Sequence, residues 1–116
     1  MSKTSLDLLK EGRQLLIDKG WTQGTFARNA KGDAVRSCAT SAACFCGLGA
    51  VRAASKSPFT GIATVAWAEE RLEEAAEARG FISFPNFNDH PGRSLEEVLE
   101  AFDAAIAAQE VSDAAQ

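Results

Sequence analysis

The chain contains no uninterrupted apolar stretch approaching the roughly 18 to 20 residues that a membrane-spanning helix needs, so no membrane anchoring is expected. Cysteine is scarce and odd in number. Cys38, Cys44 and Cys46 cannot pair off completely, and the Met1-Ser2-Lys3 start leads into alternating charges rather than an apolar leader. Both features point to a soluble cytoplasmic protein with reduced thiols. His90 is the only histidine, and no Ser or Cys lies in a pattern that marks an activated nucleophile. That weighs against an enzyme and leaves no residue to name as catalytic. A concentrated basic patch is missing as well. Lys3, Lys10, Arg13, Lys19, Arg28, Lys31, Arg36, Arg52 and Lys56 are scattered, with no basic helix face interleaved with aromatics, so nucleic acid is not an expected partner.

What is present suits a single small domain. A chain of 116 residues makes one domain that buries roughly two-thirds of the surface its unfolded form exposes. Much of the apolar content is Ala, and with abundant Glu and few β-branched residues this favours helix. The net charge of −4 conceals an asymmetry: residues 1–56 carry nine Lys or Arg against four Asp or Glu, and residues 57–116 carry three against twelve. Such halves attract, through packing within the monomer or a head-to-tail self-contact, although exposed pairs contribute only about 0 to 1 kcal/mol each.

In chain order, Thr4 or Ser5 can cap a first helix over about residues 5–19. Leu8, Leu9, Leu15 and Leu16 with Gly12 form its buried face, Leu6 and Ile17 widen it, and Gly20 stops it. Trp21 and Phe26 are anchors for a short hairpin at about 24–36, whose turn Asn29-Ala30-Lys31-Gly32 suits a type I turn closed by a left-handed glycine. Residues 40–54 are small and apolar nearly all round, which predicts a central helix where Gly47 and Gly49 let neighbouring backbones come close. Gly47-x-Gly49 lacks the third glycine of a dinucleotide fingerprint, and Arg52 stands in its place. Cys44 and Cys46, two apart on such a helix, point to different sides, so with Cys38 and His90 they form no expected metal site, and no cofactor is expected.

Ser57-Pro58 reads as the cap and first position of the next helix, which runs through Ile62, Val65, Ala66, Leu72 and Ala76 to Gly80. Its outer face is acidic, with Glu69, Glu70, Glu73, Glu74 and Glu77. Residues 81–85 read as extended because Pro85 disfavours helix at its predecessor. A last helix carries Leu95, Val98, Leu99, Phe102, Ala105 and Ile106 on one face and is expected to fray after about Ala108.

Chemistry-bearing groups concentrate in residues 84–94, where Asn86, Asn88, Asp89, His90 and Arg93 lie between or just beyond two prolines. Ser94-Leu95-Glu96-Glu97 is a capping box that fixes the start of the last helix, and Asn, Asp, Pro and Gly in such a loop serve turns. A functional reading stands beside this structural one. Arg93 ahead of a helix N-terminus suits an anion, and Asp89 next to His90 suits orientation of an imidazole.

The segments Gly20-Trp21-Thr22-Gln23-Gly24, Ala27-Arg28 before a Gly-containing turn, Cys46-Gly47-Leu48-Gly49-Ala50, and Asn88-Asp89-His90-Pro91-Gly92-Arg93 followed by Glu97-Val98-Leu99 together resemble a family of small uncharacterised proteins of bacteriophages and bacteria. The resemblance extends from the first helix to about Ile106, and its Asn-Asp-x-Pro-Gly-Arg element is the most specific part. The chain departs from the pattern at Phe87, where a Trp is expected. The resemblance implies a cytoplasmic protein of phage or bacterial origin without an established activity, and it implies that Trp21, Gln23, Asn88, Asp89 and Arg93 belong to one feature.

The expected fold is mainly α: a single domain over residues 1–108, with four helices arranged around a small-residue central helix, a short hairpin at about 24–36, and a frayed tail over 109–116. The expected function is a small protein-binding or regulatory accessory protein that engages an unknown protein partner, or a second copy of itself, through the 86–94 loop or the acidic helix face. The alternative is an anionic small-ligand or catalytic domain. Trp21, Gln23, Asn88, Asp89, His90 and Arg93 are the candidate binding residues under either reading.

Overall fold

The structure, a computed structural model, describes residues 3–56 and 60–115. Helix α1 (Ser5–Lys19) opens with a capping box in which the Thr4 hydroxyl accepts from the Asp7 amide and the Asp7 carboxylate accepts from the Thr4 amide, each at 3.0 Å. It ends at Gly20, whose φ of 119° lies in the region that favours glycine. Leu8, Leu9, Gly12 and Leu16 form its buried face, and Ile17, expected to widen that face, is exposed.

The hairpin is formed by β1 (Ala27–Arg28) and β2 (Ala34–Val35), antiparallel, with Ala27 opposite Val35. Asn29 organises its turn by accepting the amides of Lys31 and Asp33 at 3.0 Å, and Gly32 takes a positive φ. A third strand, β3 (Cys44–Phe45), pairs antiparallel with the other side of β1 to give the order β2-β1-β3. This corrects the reading of 40–54 as one helix. Backbone groups of 43–46 are claimed by Arg28, Gly20 and Phe26, so the segment is extended, and helix α2 (Gly47–Ala54) begins only after Cys46. Cys44 therefore lies on a strand and Cys46 at a helix cap, not together on a helix.

The expected close approaches are nonetheless there. A methyl group on Gly49 would collide with the Phe26 carbonyl oxygen, and one on Gly47 with the Phe84 ring. Helix α2 is buried along most of its length and touches α1, β3 and two later helices.

Helix α3 (Ile62–Ala78) starts after Gly61, which gives no side-chain cap. The expected Ser57-Pro58 cap lies outside the described residues. Ala68, Leu72, Ala75 and Ala76 are its buried face, whereas Ile62 and Ala66, expected on that face, are exposed. Residues 81–85 are not simply extended: Ser83 caps a short helix α4 (Phe84–Asn88), with Pro85 inside the first turn, where a missing amide hydrogen costs nothing. The Phe84 amide is bound by the Glu73 carboxylate of α3.

Helix α5 (Leu95–Ala114) carries the predicted Ser94–Glu97 capping box and extends past the expected fraying point. Gln109 is buried against α3, accepts from Arg71 Nε at 3.0 Å and donates to Asp113 at 2.9 Å, which explains why the helix continues.

Leu8, Leu9, Leu16, Val51, Leu72, Phe84, Phe87, Val98 and Phe102 form the fully buried centre. The charge asymmetry is met inside the monomer by Lys10–Glu110, Arg13–Asp103 and Arg52–Glu69, each joining the basic to the acidic half. No helix among the described residues is long and apolar enough to cross a membrane.

Candidate functional site

The two loops singled out by sequence lie against each other, and Asn88 is the point where they meet. Its position at the end of α4, 1% exposed, demands that every polar atom of its amide be satisfied. Oδ1 accepts from Trp21 Nε1 at 2.9 Å and from the Gly47 amide at 3.1 Å. Nδ2 donates to the Thr22 carbonyl at 3.2 Å and to Asp89 Oδ1 at 2.9 Å. One side chain thus ties the loop after α1, the first amide of α2 and the end of α4 together.

The neighbours extend the seam. Gln23 Nε2 donates to the carbonyls of Asn88 and His90 at 3.0 and 3.1 Å, and the Gly24 amide donates to Asp89 Oδ1 at 3.0 Å. Trp21, Gln23, Asn88 and Asp89 form one hydrogen-bonded group, whereas Arg93, which the resemblance grouped with them, does not join it.

Arg93 belongs to the other side of α4. Its Nε donates to the Phe87 carbonyl at 2.8 Å, its guanidinium lies 3.9 Å from the Phe87 ring centroid and 5.0 Å from that of Phe81, and it pairs with Glu97 at 3.2 Å. Phe87, standing where Trp was expected, is buried and serves as this stacking platform. The hollow that Arg93 borders is lined by Arg79, Phe81, Phe87, Glu97 and Glu100, and Trp21 does not reach it. His90 is exposed, its ring edge-to-face with Phe81 at 5.3 Å between ring centroids. The Asp89 carboxylate turns to Gly24 and Asn88 instead of the imidazole, so the proposed Asp–His orientation does not form.

The N-terminus of α5 is likewise taken. Glu97 fills it by accepting from the Ser94 amide at 2.9 Å, and this hydrogen bond, with help from the Ser94 hydroxyl and Arg93, holds its carboxyl below the usual glutamate range. Elsewhere, Cys46 Sγ accepts from the Gly49 amide at 3.3 Å as the cap of α2, and burial pushes its thiol up, so it stays protonated at neutral pH. Asn88 and Cys46 flank a hollow of about 160 Å³ whose walls include Phe26, Leu48 and Phe84.

Sequence reasoning passed over Trp67. It is 60% exposed on α3, between a hollow of about 270 Å³ bordered by Glu70, Arg71 and Gln109 and one of about 290 Å³ bordered by Thr4, Thr64 and Asp113. The signal was available. Val65, Ala68, Leu72, Ala75 and Ala76 recur at helical spacing, and position 67 lies about 130° from the centre of that face.

These features define a small, mainly helical domain in which two loops distant in sequence are sealed by a buried asparagine. The chain belongs to a family of unknown function (DUF6197), whose model matches residues 1–108. No curated protein and no solved structure matches it.

Proposed function

We propose that the protein is a small cytoplasmic accessory factor, of phage or bacterial origin, that binds a protein partner through the outer face of α3. The observation that carries this reading is Trp67, a large aromatic held 60% exposed between two hollows on a helix surface. Tryptophan is the residue type most enriched at the energetic centres of interfaces. Along the same face the surface turns from apolar, at Ile62 and Ala66, to acidic, at Glu70, Glu74 and Glu77.

Three of the five α3 glutamates are engaged within the fold, Glu69 by Arg52, Glu73 by the Phe84 amide and Glu74 by Arg71. Glu70 and Glu77 have no partner among the described residues. The matching partner surface is therefore an apolar side chain astride Trp67 with a Lys or Arg reaching Glu70.

The 86–94 loop is a weaker candidate, since Asn88, Asp89 and Gln23 satisfy each other. An anionic ligand there has less support still, because Arg93, the permanent cation of the set, is committed to Glu97 and Phe87.

The test is affinity capture from bacterial lysate with the wild-type chain, Trp67→Ser and His90→Ala, alongside sedimentation of the isolated protein. A partner, or a self-associated species, that is retained by His90→Ala and lost with Trp67→Ser is the expected result. Equal retention by Trp67→Ser, with unchanged thermal stability, overturns it.

A further inference from the structure

We infer that the hollow beside Asn88 binds a small cationic ligand with a ring-sized apolar body, of which an arylalkylammonium is the simplest example. Its volume of about 160 Å³ is close to that at which an apolar protein cavity accepts a single aromatic ring. Phe26, Leu48, Phe84 and Pro85 supply apolar wall, and Asp89 carries the only charge among the described residues that line it.

The remaining polar groups at the wall are mostly spent. Asn88 makes four hydrogen bonds with its amide, and Cys46 Sγ accepts the Gly49 amide. The Asp89 carboxylate is only half used: Oδ1 takes the Gly24 and Asn88 donors, and the second oxygen has no hydrogen-bond partner among the described residues.

The two guanidinium groups that approach wall residues, Arg28 beside Gly24 and Arg52 over Phe26, have their hydrogen bonds elsewhere. Arg28 donates to Thr22, Gln23 and Gly32, and Arg52 pairs with Glu69 while lying 4.3 Å from the Phe26 ring centroid. A half-open hollow with apolar walls and one unspent carboxylate oxygen on the exposed Asp89 favours a cation over a neutral molecule or an anion. Cys46 contributes bulk, not covalent capture, since its thiol stays protonated. None of these residues belongs to the Trp67 surface, so the two proposals stand independently.

The experiment is an amide-detected NMR titration of the full chain at pH 7 with benzylamine, which is protonated there, and with benzyl alcohol and benzoate for comparison. Benzylammonium is expected to give saturable shifts at Gly24, Phe26 and Leu48 and to bind about twofold to fivefold more tightly than benzyl alcohol, the scale of one partly exposed ion pair. Asp89→Asn, which keeps the Oδ1 acceptor and removes the charge, is expected to abolish that difference. Thr25→Trp, a half-buried wall position, is expected to abolish binding by filling the hollow. Absence of saturable shifts up to about 10 mM, a generous limit for so few atoms, overturns the proposal. So does benzoate binding as tightly as benzylammonium, or a preference that survives Asp89→Asn or Thr25→Trp.

Discussion

At Asn88 a single amide completes hydrogen bonds for an indole, a helix-starting amide and a carbonyl, all in partly or fully buried surroundings. Replacing it with Ala strands those groups, and each buried polar group left without a partner costs about 1 to 3 kcal/mol, partly relieved by water. Asn88→Ala is therefore expected to lower unfolding free energy by about 2 to 4 kcal/mol in urea titrations at pH 7. Asn88→Asp should not rescue it, because Nδ2 is the donor that Thr22 and Asp89 require. From sequence, the grouping of Trp21 and Gln23 with Asn88 and Asp89 was legible through resemblance alone. Composition and spacing gave no sign of it, since a loop Asn reads equally well as a local turn former. Trp67 was passed over, although its helical phase already put it outside the buried stripe of α3.

At the scale of elements, the helix start at Ser94 was legible because a capping box is local chemistry, complete within four residues, and the start of α1 was legible to within Thr4 or Ser5. The Asn29–Gly32 turn was legible for the same reason. The start of α2 was not. Propensity and small size suited residues 40–46 to helix, but long-range ladder bonds from β1 and from Gly20 outcompeted it. Pro85 misled in similar fashion, because the rule that separates its predecessor from helix yields at a helix's first turn.

The Ser94–Glu97 box also has a pH signature. Glu97 has a lowered pKa when folded, so its stabilising contribution is complete above the ordinary glutamate value and is lost as pH falls through the folded one. Glu97→Gln is expected to melt below wild type at pH 7, with the gap narrowing as the medium is acidified from about pH 5 to pH 3. Thermal scans by circular dichroism across that range would show the convergence, and a constant gap would refute it.

For the molecule as a whole, opposite charge in the two halves is resolved by packing within one chain. Helix α1 carries Lys10 and Arg13 toward Glu110 and Asp103 of α5, and Arg52 of α2 meets Glu69 of α3. These pairs are partly exposed, which limits their worth. A double-mutant cycle on Arg13 and Asp103 is expected to give a coupling of about 0.5 kcal/mol at low ionic strength, fading toward zero in 1 M salt. A coupling above about 2 kcal/mol would mean that the pair is far less hydrated than its exposure indicates. The mainly helical architecture and its single core were legible from periodicity, because α1, α3 and α5 each bury one stripe. How the acidic and basic halves found each other was not, since charge counts carry no geometry.

The Asn88 junction also constrains the order in which the protein can be completed during synthesis. The indole of Trp21 waits for a residue 67 positions later, and the Gly47 amide for one 41 positions later. A nascent chain that has released α1, the sheet, α2 and α3 still lacks the acceptor for both, so its first two-thirds emerge with an open seam that only the final quarter can close.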